Sequence, residues 1–465
     1  MRVPQQLEKR LEEIRREMRP PPHAVKVKRV RTSYADLETR EVVLAERQLG
    51  EVDWVYRHEV EHLGKWPRTL GRELYWAAKV ANRVGEDERE FLRKHRNEVM
   101  NIAEDTLIDY EVGKKYRDAR KCIKRYVKNL DPYGDLPPHE VARLIVAGVR
   151  RDYYIEELLK KRDIVGLGIL ALEWLEGHPE FKVKPDVKGK PSKEDFEEAA
   201  SDLIREGEDL EALDDFARDE DVEWDFEKAA IMALVKSYDW YLSASRHREV
   251  HRGSRARQSV WNPGDSPEKL DVNGSLTVFP KVIPGLTAVK REVRPIEGFE
   301  EPTAFKDVAL LVDESGSMDD KVKAVRVVGI SILGYLNRKR VQYQIISFGS
   351  HAAVRVPLGF DYTAGVWYFA RRYAGWQGTT EIAPALKELM GRDLLVYVIS
   401  DAEIFDLNKV AEYRHMLKEV VLVLINQRRR YGEFVQAFGG VPVRGYWLHP
   451  DRVEEFVVEE LGRLS

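Results

Sequence analysis

The chain is short of several things that would narrow its function at once. It has a single cysteine, Cys122, in 465 residues. That excludes an intrachain disulfide and any zinc site built from several thiolates; Cys122 itself reads as an ordinary residue on a basic helix. No stretch reaches the ~20 apolar residues of a membrane span. The N-terminal MRVPQQLEKRLEEIRREMRPPP is a charged amphipathic helix ended by prolines, without the apolar core of a signal peptide. These absences set the expectation of a cytoplasmic protein. Charge of one sign is also missing: 76 Lys and Arg against 80 Asp and Glu leave a net charge of −4, with no global pull toward nucleic acid or acidic membranes. No GxxxxGK[ST] sequence occurs, so any ATPase work must come from a partner.

What is present is a charged but globular composition, 43% hydrophobic and 34% charged, long enough for two or three domains. Abundant Glu, Lys and Arg fit a thermophilic source. After the first prolines, AVKVKRVRTSYADLETREVVLAE alternates apolar and polar residues about a turn and predicts a β-hairpin. From Asp53 the period becomes helical, through RELYWAAKVANRV, the long EDEREFLRKHRNEVMNIAEDTLIDYEVGKKY and HEVARLIVAGVRR. Residues 182–192 read as a linker. The acidic run that follows, 194–227, keeps Phe196, Leu203, Leu210, Leu213 and Phe216 at near-helical spacing, which predicts solvated amphipathic helices. His247 and His251 also stand at i, i+4, but among arginines, and read as a solvated basic segment. From Phe305 apolar strands alternate with helices, which predicts a doubly wound, mostly parallel α/β sheet with its ligand site at the carboxyl ends of the strands.

Two motifs carry chemistry. The first is HEVEH. On a helix His58 and His62 lie one above the other and can reach one ion, with Glu59 beside them as a general base for metal-bound water. A third ligand must come from elsewhere, and the long helix offers Glu98, Asn101, Asp105 and Asp109 on one face with Glu104 adjacent. Trp54, Trp66 and Trp76 nearby read as core. Glu61 is a blemish, because zinc peptidase helices normally carry an uncharged residue there. The competing reading is an accidental pattern on a solvated, charged helix. The second motif is D-x-S-x-S, formed by Asp313, Ser315 and Ser317 after an apolar strand: one carboxylate and two hydroxyls on a tight loop, a set of hard oxygen donors suited to a divalent cation. Neither serine has a nearby motif histidine, so a serine hydrolase is not indicated.

The C-terminal pattern resembles the von Willebrand factor A (VWA) domain with its metal-ion-dependent adhesion site (MIDAS). The resemblance implies Mg2+ or Mn2+ held by Asp313, Ser315 and Ser317, with a second-loop threonine in GTTEIAPAL, Thr380 in preference to Thr379, and Asp401 in VISDAE. Thr379 and Ala402 stand where that family commonly has glycine. HEVEH, the strands before it and VMNIAEDTLIDYEV resemble a metallopeptidase-like domain often fused to a VWA domain. Its N-x-x-x-D motif maps onto Asn101 and Asp105, which implies Zn2+ on His58, His62 and Asp105, with Glu104 and Glu98 as the other candidates for third ligand. The expected architecture is therefore an α-rich (α+β) zincin-like region over 1–181, a connecting region over 182–304, and a Rossmann-like VWA domain over 305–465. The implied role is that of an adaptor or cochaperone for a MoxR-type AAA+ ATPase, engaging the ATPase or a client carboxylate through the VWA metal. The alternative is a zinc metallopeptidase whose VWA domain recruits substrate.

Overall fold

The computed structural model describes residues 5–181, 187–237, 257–260, 270–271, 289–292, 307–373, 375, 378–390, 393–425 and 431–448. The segment carrying His247 and His251 lies outside them. The chain divides into two compact units, Met1–Ala233 and Leu234–Ser465.

The first unit is mostly helical. A helix α1 (Gln5–Met18) precedes strands β1 (Ala24–Lys28), β2 (Tyr34–Asp36) and β3 (Glu41–Ala45). Helices α2 (Val52–Gly64), α3 (Leu70–Ala81), α4 (Glu86–Lys115), α5 (Arg117–Tyr126), α6 (Pro138–Ala147), α7 (Tyr153–Lys161) and α8 (Ile164–Gly177) follow. A two-residue strand β4 (Val187–Lys188) leads to α9 (Lys193–Arg205) and α10 (Glu211–Asp219). The expected hairpin is real but shorter: β2 pairs antiparallel with β3. The first strand, β1, instead runs parallel to β3, and the sheet order is β1-β3-β2-β4. Period-2 alternation identifies strands and says nothing about which neighbours they choose.

Local chemistry sets the helix ends. Thr69 caps α3 by accepting from the Arg72 amide, Pro138 opens α6, and Ser192 with Asp195 forms a capping box on α9. The acidic run is helical and amphipathic as expected, with Phe196, Leu203, Leu213 and Phe216 inside.

Helix α2 departs from the amphipathic rule. Every residue from Trp54 to Leu63 is buried, including Arg57, His58, Glu59, Glu61 and His62. A solvated helix would turn such residues outward, so α2 is not the solvated, charged helix of the competing reading. Buried charges must be met by partners. Glu61 is met by Lys65, 3.2 Å away; it is accommodated by an ion pair and not by facing solvent.

The second unit holds a small sheet, β5 (Arg257–Val260), β6 (Leu270–Asp271) and β7 (Val289–Glu292), in the order β5-β7-β6. It also holds a six-stranded sheet of β8 (Asp307–Asp313), β9 (Gln342–Phe348), β10 (Ala352–Gly359), β11 (Leu394–Ser400), β12 (Leu417–Ile425) and β13 (Val443–Leu448). Its helices are α11 (Val322–Lys339), α12 (Tyr362–Trp367), α13 (Ala383–Lys387) and α14 (Tyr431–Ala437). All seven residues of β8 and of β11 are buried, as parallel strands covered on both faces should be. Helix α11 approaches the turn after α12 so closely that a Cβ on Gly329 would overlap the Phe369 ring.

The strand order is β10-β9-β8-β11-β12-β13, parallel except for β10. The chain runs outward from β8 through β9 and β10, then returns to the other side of β8. The order thus reverses between β8 and β11, and the crevice at their carboxyl ends is the switch point of the fold. Edge strands β10 and β13 have weak sequence signals. Residues of β10 are mostly half-buried or exposed, and it tolerates Pro357 because an edge strand need not donate every amide.

Candidate metal centres

The first centre joins α2 to the middle of α4. His58 Nε2 and His62 Nε2 are 3.2 Å apart, and each is 3.2 Å from Asp105 Oδ1. Four-coordinate zinc with ligands at 2.0–2.1 Å places its ligand atoms about 3.3 Å apart, so the triangle has the right size. Among the described residues this is the one group of three His, Cys, Asp or Glu side chains spaced to hold an ion.

Protonation makes the stronger argument. Burial alone raises the Asp109 pKa, but Arg143 and His58 outweigh it and hold it at about 2. Asp109 is therefore an ionised, acceptor-only group, and His58 Nδ1, 2.9 Å from its Oδ1, must be the donor. His62 Nδ1 faces the Trp66 carbonyl at 2.7 Å and must likewise donate. In each neutral ring that leaves a lone pair on Nε2. With both rings neutral, two lone pairs and a carboxylate oxygen converge, a donor set that fits a divalent cation. Burial opposes a charge on His58, but Asp109 and Asp105 hold its pKa well above the ordinary value; the same negative surroundings favour a cation.

The surrounding groups orient these ligands. Asp109 also accepts from Trp54 Nε1 and Arg143 Nε, both at 2.6 Å. Asn101 Nδ2 donates to the second oxygen of Asp105 at 3.1 Å. Such carboxylate–histidine pairs fix the tautomer and aim the ring at a metal. Trp54, read from sequence as core, is buried and also holds Asp109.

The other candidates for third ligand stand apart. Glu104 Oε2 is 3.7 Å from His62 Nδ1, the wrong nitrogen. Burial, with Glu73 and Asp105 nearby, raises the Glu104 pKa well above the carboxylate range. Glu98 is half-buried and outside the cluster. Glu59 is buried beside His58, and both line a cleft of about 490 Å³ with Asp105.

The second centre sits at the switch point. Asp313 ends β8; its Oδ1 accepts from the Ser315 amide at 2.9 Å and its Oδ2 from Ser400 Oγ at 2.6 Å. Ser315 Oγ and Ser317 Oγ are 3.1 Å apart, near the roughly 2.9 Å between adjacent oxygens of an octahedral magnesium at 2.0–2.1 Å. Burial, offset in part by Ser315 and Ser400, pushes the Asp313 pKa up to about 6. Thr380 is buried and Thr379 exposed. The Thr380 loop is tied to the Asp401 loop, because Thr380 O accepts from the Phe405 amide at 3.0 Å. Asp406 in turn accepts from the amides of Ile382 and Ala383 at 2.7 and 3.0 Å.

Two features were not legible in the motif. Lys321 donates to the Ser317 carbonyl and stands 3.6 Å from Asp401 Oδ2, a fixed positive charge within the oxygen cluster. Ala402 has φ of +70°, the left-handed region that glycine occupies freely and alanine does not.

No protein-family model matches the chain, and no curated protein matches it in sequence. Among solved structures it is similar to an aerotolerance-related membrane protein from Bacteroides fragilis NCTC 9343, at 15% identity and TM-score 0.25, over 34% of this chain and 98% of that one. It is also similar to BatB from Bacteroides thetaiotaomicron, at 14% identity and TM-score 0.24, over 34% and 98%. A third is proximal thread matrix protein 1 from the mussel byssus, with a zinc-occupied MIDAS motif, at 12% identity and TM-score 0.26, over 34% of this chain and 45% of that one.

Proposed function

We propose that the chain is a metal-dependent protein-binding protein of the VWA type that acts in the cytoplasm as an adaptor or cochaperone for a MoxR-type AAA+ ATPase and carries zinc on His58, His62 and Asp105. The observation that carries the binding role is the position of Asp313, Ser315 and Ser317 at the switch point between β8 and β11. A divalent cation there supplies a Lewis-acidic position for a partner's carboxylate. Asp313 brings charge, and the two hydroxyls bring neutral oxygens, so the set leaves room for an anionic ligand from outside. Asp401 follows β11, which pairs with β8, and Thr380 lies on a loop tied to the Asp401 loop through the Phe405 amide. Among the described residues no helix is long and apolar enough to cross a membrane.

The test is magnesium-dependent capture of the purified partner ATPase or of an acidic client peptide. Asp313→Ala should abolish it; undiminished binding by a folded Asp313→Ala protein overturns the mechanism. Peptide hydrolysis is the competing reading, and the burial of Glu59 on the metal cleft is what favours it. Any hydrolysis that survives Glu59→Gln removes that reading.

A further inference from the structure

The near-balanced charge of the whole chain hides one uneven surface. From Lys114 to Lys128 the sequence KKYRDARKCIKRYVK carries eight cations and one carboxylate, Asp118. Arg120 is used at the corner between α4 and α5, where it donates to the Gly113 and Lys114 carbonyls at 2.8 and 3.0 Å. Asp118 is shared by Lys121 and Arg10, each at 3.3 Å. The other six cations are exposed and make no ion pair among the described residues. Of the carboxylates on neighbouring elements, Asp53 is held by Arg10 and Glu140 by Arg143, both at 2.7 Å; Glu51, near Cys122, offsets part of the charge. A merely solvated face would pair its charges. Three other helices do so one turn apart: Glu12 with Arg16, Glu90 with Lys94 and Glu157 with Lys161.

The cations form a track. Arg117, Lys121, Lys124 and Lys128 recur every three or four residues, a stripe about 16 Å long on one side of the helix. The opposite side, with Ala119, Cys122, Ile123 and Val127, is buried. The exposed positions of α5 are Arg117, Asp118, Lys121, Lys124 and Arg125. They include no apolar residue, so the stripe lacks the face that a membrane-surface helix inserts and the apolar centre of a protein interface. A row of unpaired cations suits a polyanion, whose counterions it displaces.

Beyond the stripe, aromatic rings take over. Tyr133 is 94% exposed, Tyr153 78% and Tyr154 59%, and none stacks on another ring among the described residues. Tyr133 sits in a closed turn: its amide donates to Asp131 Oδ1 at 3.0 Å, and the Gly134 amide to the Asp131 carbonyl at 3.2 Å. Asp135, the other carboxylate of this loop, accepts from Trp174 at 3.1 Å. Arg150 donates to the Gly134 carbonyl at 3.3 Å, which ties the turn to the segment of Arg151 and Tyr153. Open rings next to a row of cations are the two parts of a single-strand binding surface, since every base has a face to stack.

We infer that the surface running from Arg117 through Lys128 to Tyr133 and Tyr153 binds single-stranded nucleic acid, with its cations on phosphates and its tyrosine rings against bases. Bases stacked within a duplex do not reach such rings, so the single strand is preferred. Charge and flat rings carry little sequence preference. The surface makes no use of either metal centre.

The experiment titrates the full chain, in EDTA, into fluorescein-labelled oligouridylate and oligodeoxythymidylate of about fifteen nucleotides and into a duplex of the same length, followed by anisotropy. The single strands should bind with log Kobs falling against log salt at a slope of roughly −3, the release expected for four phosphate contacts. Lys121→Ala, Lys124→Ala and Lys128→Ala together should remove about two units of that slope and more than about tenfold in affinity. Tyr133→Ala with Tyr153→Ala should weaken binding about tenfold or more at unchanged slope, and Tyr133→Phe with Tyr153→Phe should keep wild-type affinity. Tighter binding of oligouridylate assigns RNA, and of oligodeoxythymidylate DNA; either supports the inference. No binding of either strand at about 50 mM salt, or wild-type affinity and slope in the triple lysine variant, overturns it. A duplex bound as tightly as the strands, with the tyrosine variants unchanged, also overturns it. Capture of polyglutamate or of phosphatidylserine vesicles in place of the strands overturns it in favour of an acidic protein or a lipid surface.

Discussion

Asp109 is where the first centre is most exposed to a quantitative test. Its carboxylate accepts from His58, Trp54 and Arg143 at 2.9, 2.6 and 2.6 Å, and none of it is open to solvent. Asp109→Ala removes the acceptor of all three donors, of which His58 keeps Asp105 at 3.2 Å. Arg143 retains Glu140 at 2.7 Å, so its share falls at the lower end of the ~3–5 kcal/mol lost when a buried ion pair is broken. The Trp54 indole, left without an acceptor, adds about 1 kcal/mol. The sum is a loss of about 4 kcal/mol in apo-protein stability, measurable by urea unfolding in EDTA. Zinc affinity is a separate readout. A histidine that loses its orienting carboxylate binds metal ~10–100-fold more weakly, which competition against a chromophoric chelator resolves. Asp109→Asn keeps one acceptor and should lie between. Wild-type zinc affinity in a folded Asp109→Ala protein, or a stability loss under about 1 kcal/mol, would refute the reasoning.

Two further outcomes concern the second centre. Ala402→Gly relieves a left-handed residue, worth about 1–2 kcal/mol, but gives up a methyl buried in the core, worth about 0.8 kcal/mol, so the melting of the unit that contains it should stay within roughly 4 °C of wild type; a larger fall contradicts the assignment of strain. Lys321→Met removes a cation 3.6 Å from Asp401 and should tighten magnesium binding roughly tenfold by calorimetry. Unchanged or weaker binding would mean that the ammonium does not compete for the site.

How much of this could be read beforehand depended on the range of the interaction. His58, His62 and Glu59 follow from helical spacing; the long helix offered several carboxylates, and Asp105 was singled out only by the resemblance to an N-x-x-x-D motif, so the grouping that the fold brings together was legible only with that help. Arg143 was not legible, because it arrives from a helix whose own pattern is plainly amphipathic. Nor was the Trp66 carbonyl, since a backbone acceptor leaves no trace in residue identity. The continuous apolar runs of β8 and β11 announced a parallel sheet, whereas β10 and β13, half in solvent, had no such signal. Glu61 shows the converse. It argued against the motif on side-chain type alone, yet Lys65 one turn later accommodates it inside the fold.

The most direct test of the account is the metal content of the purified full chain by elemental analysis, in wild type, His58→Ala and Asp313→Ala. The account predicts one equivalent of zinc in wild type, its loss in His58→Ala, and its retention in Asp313→Ala. Wild-type protein without zinc, or folded His58→Ala protein that keeps it, would contradict the claim that His58, His62 and Asp105 form a metal centre.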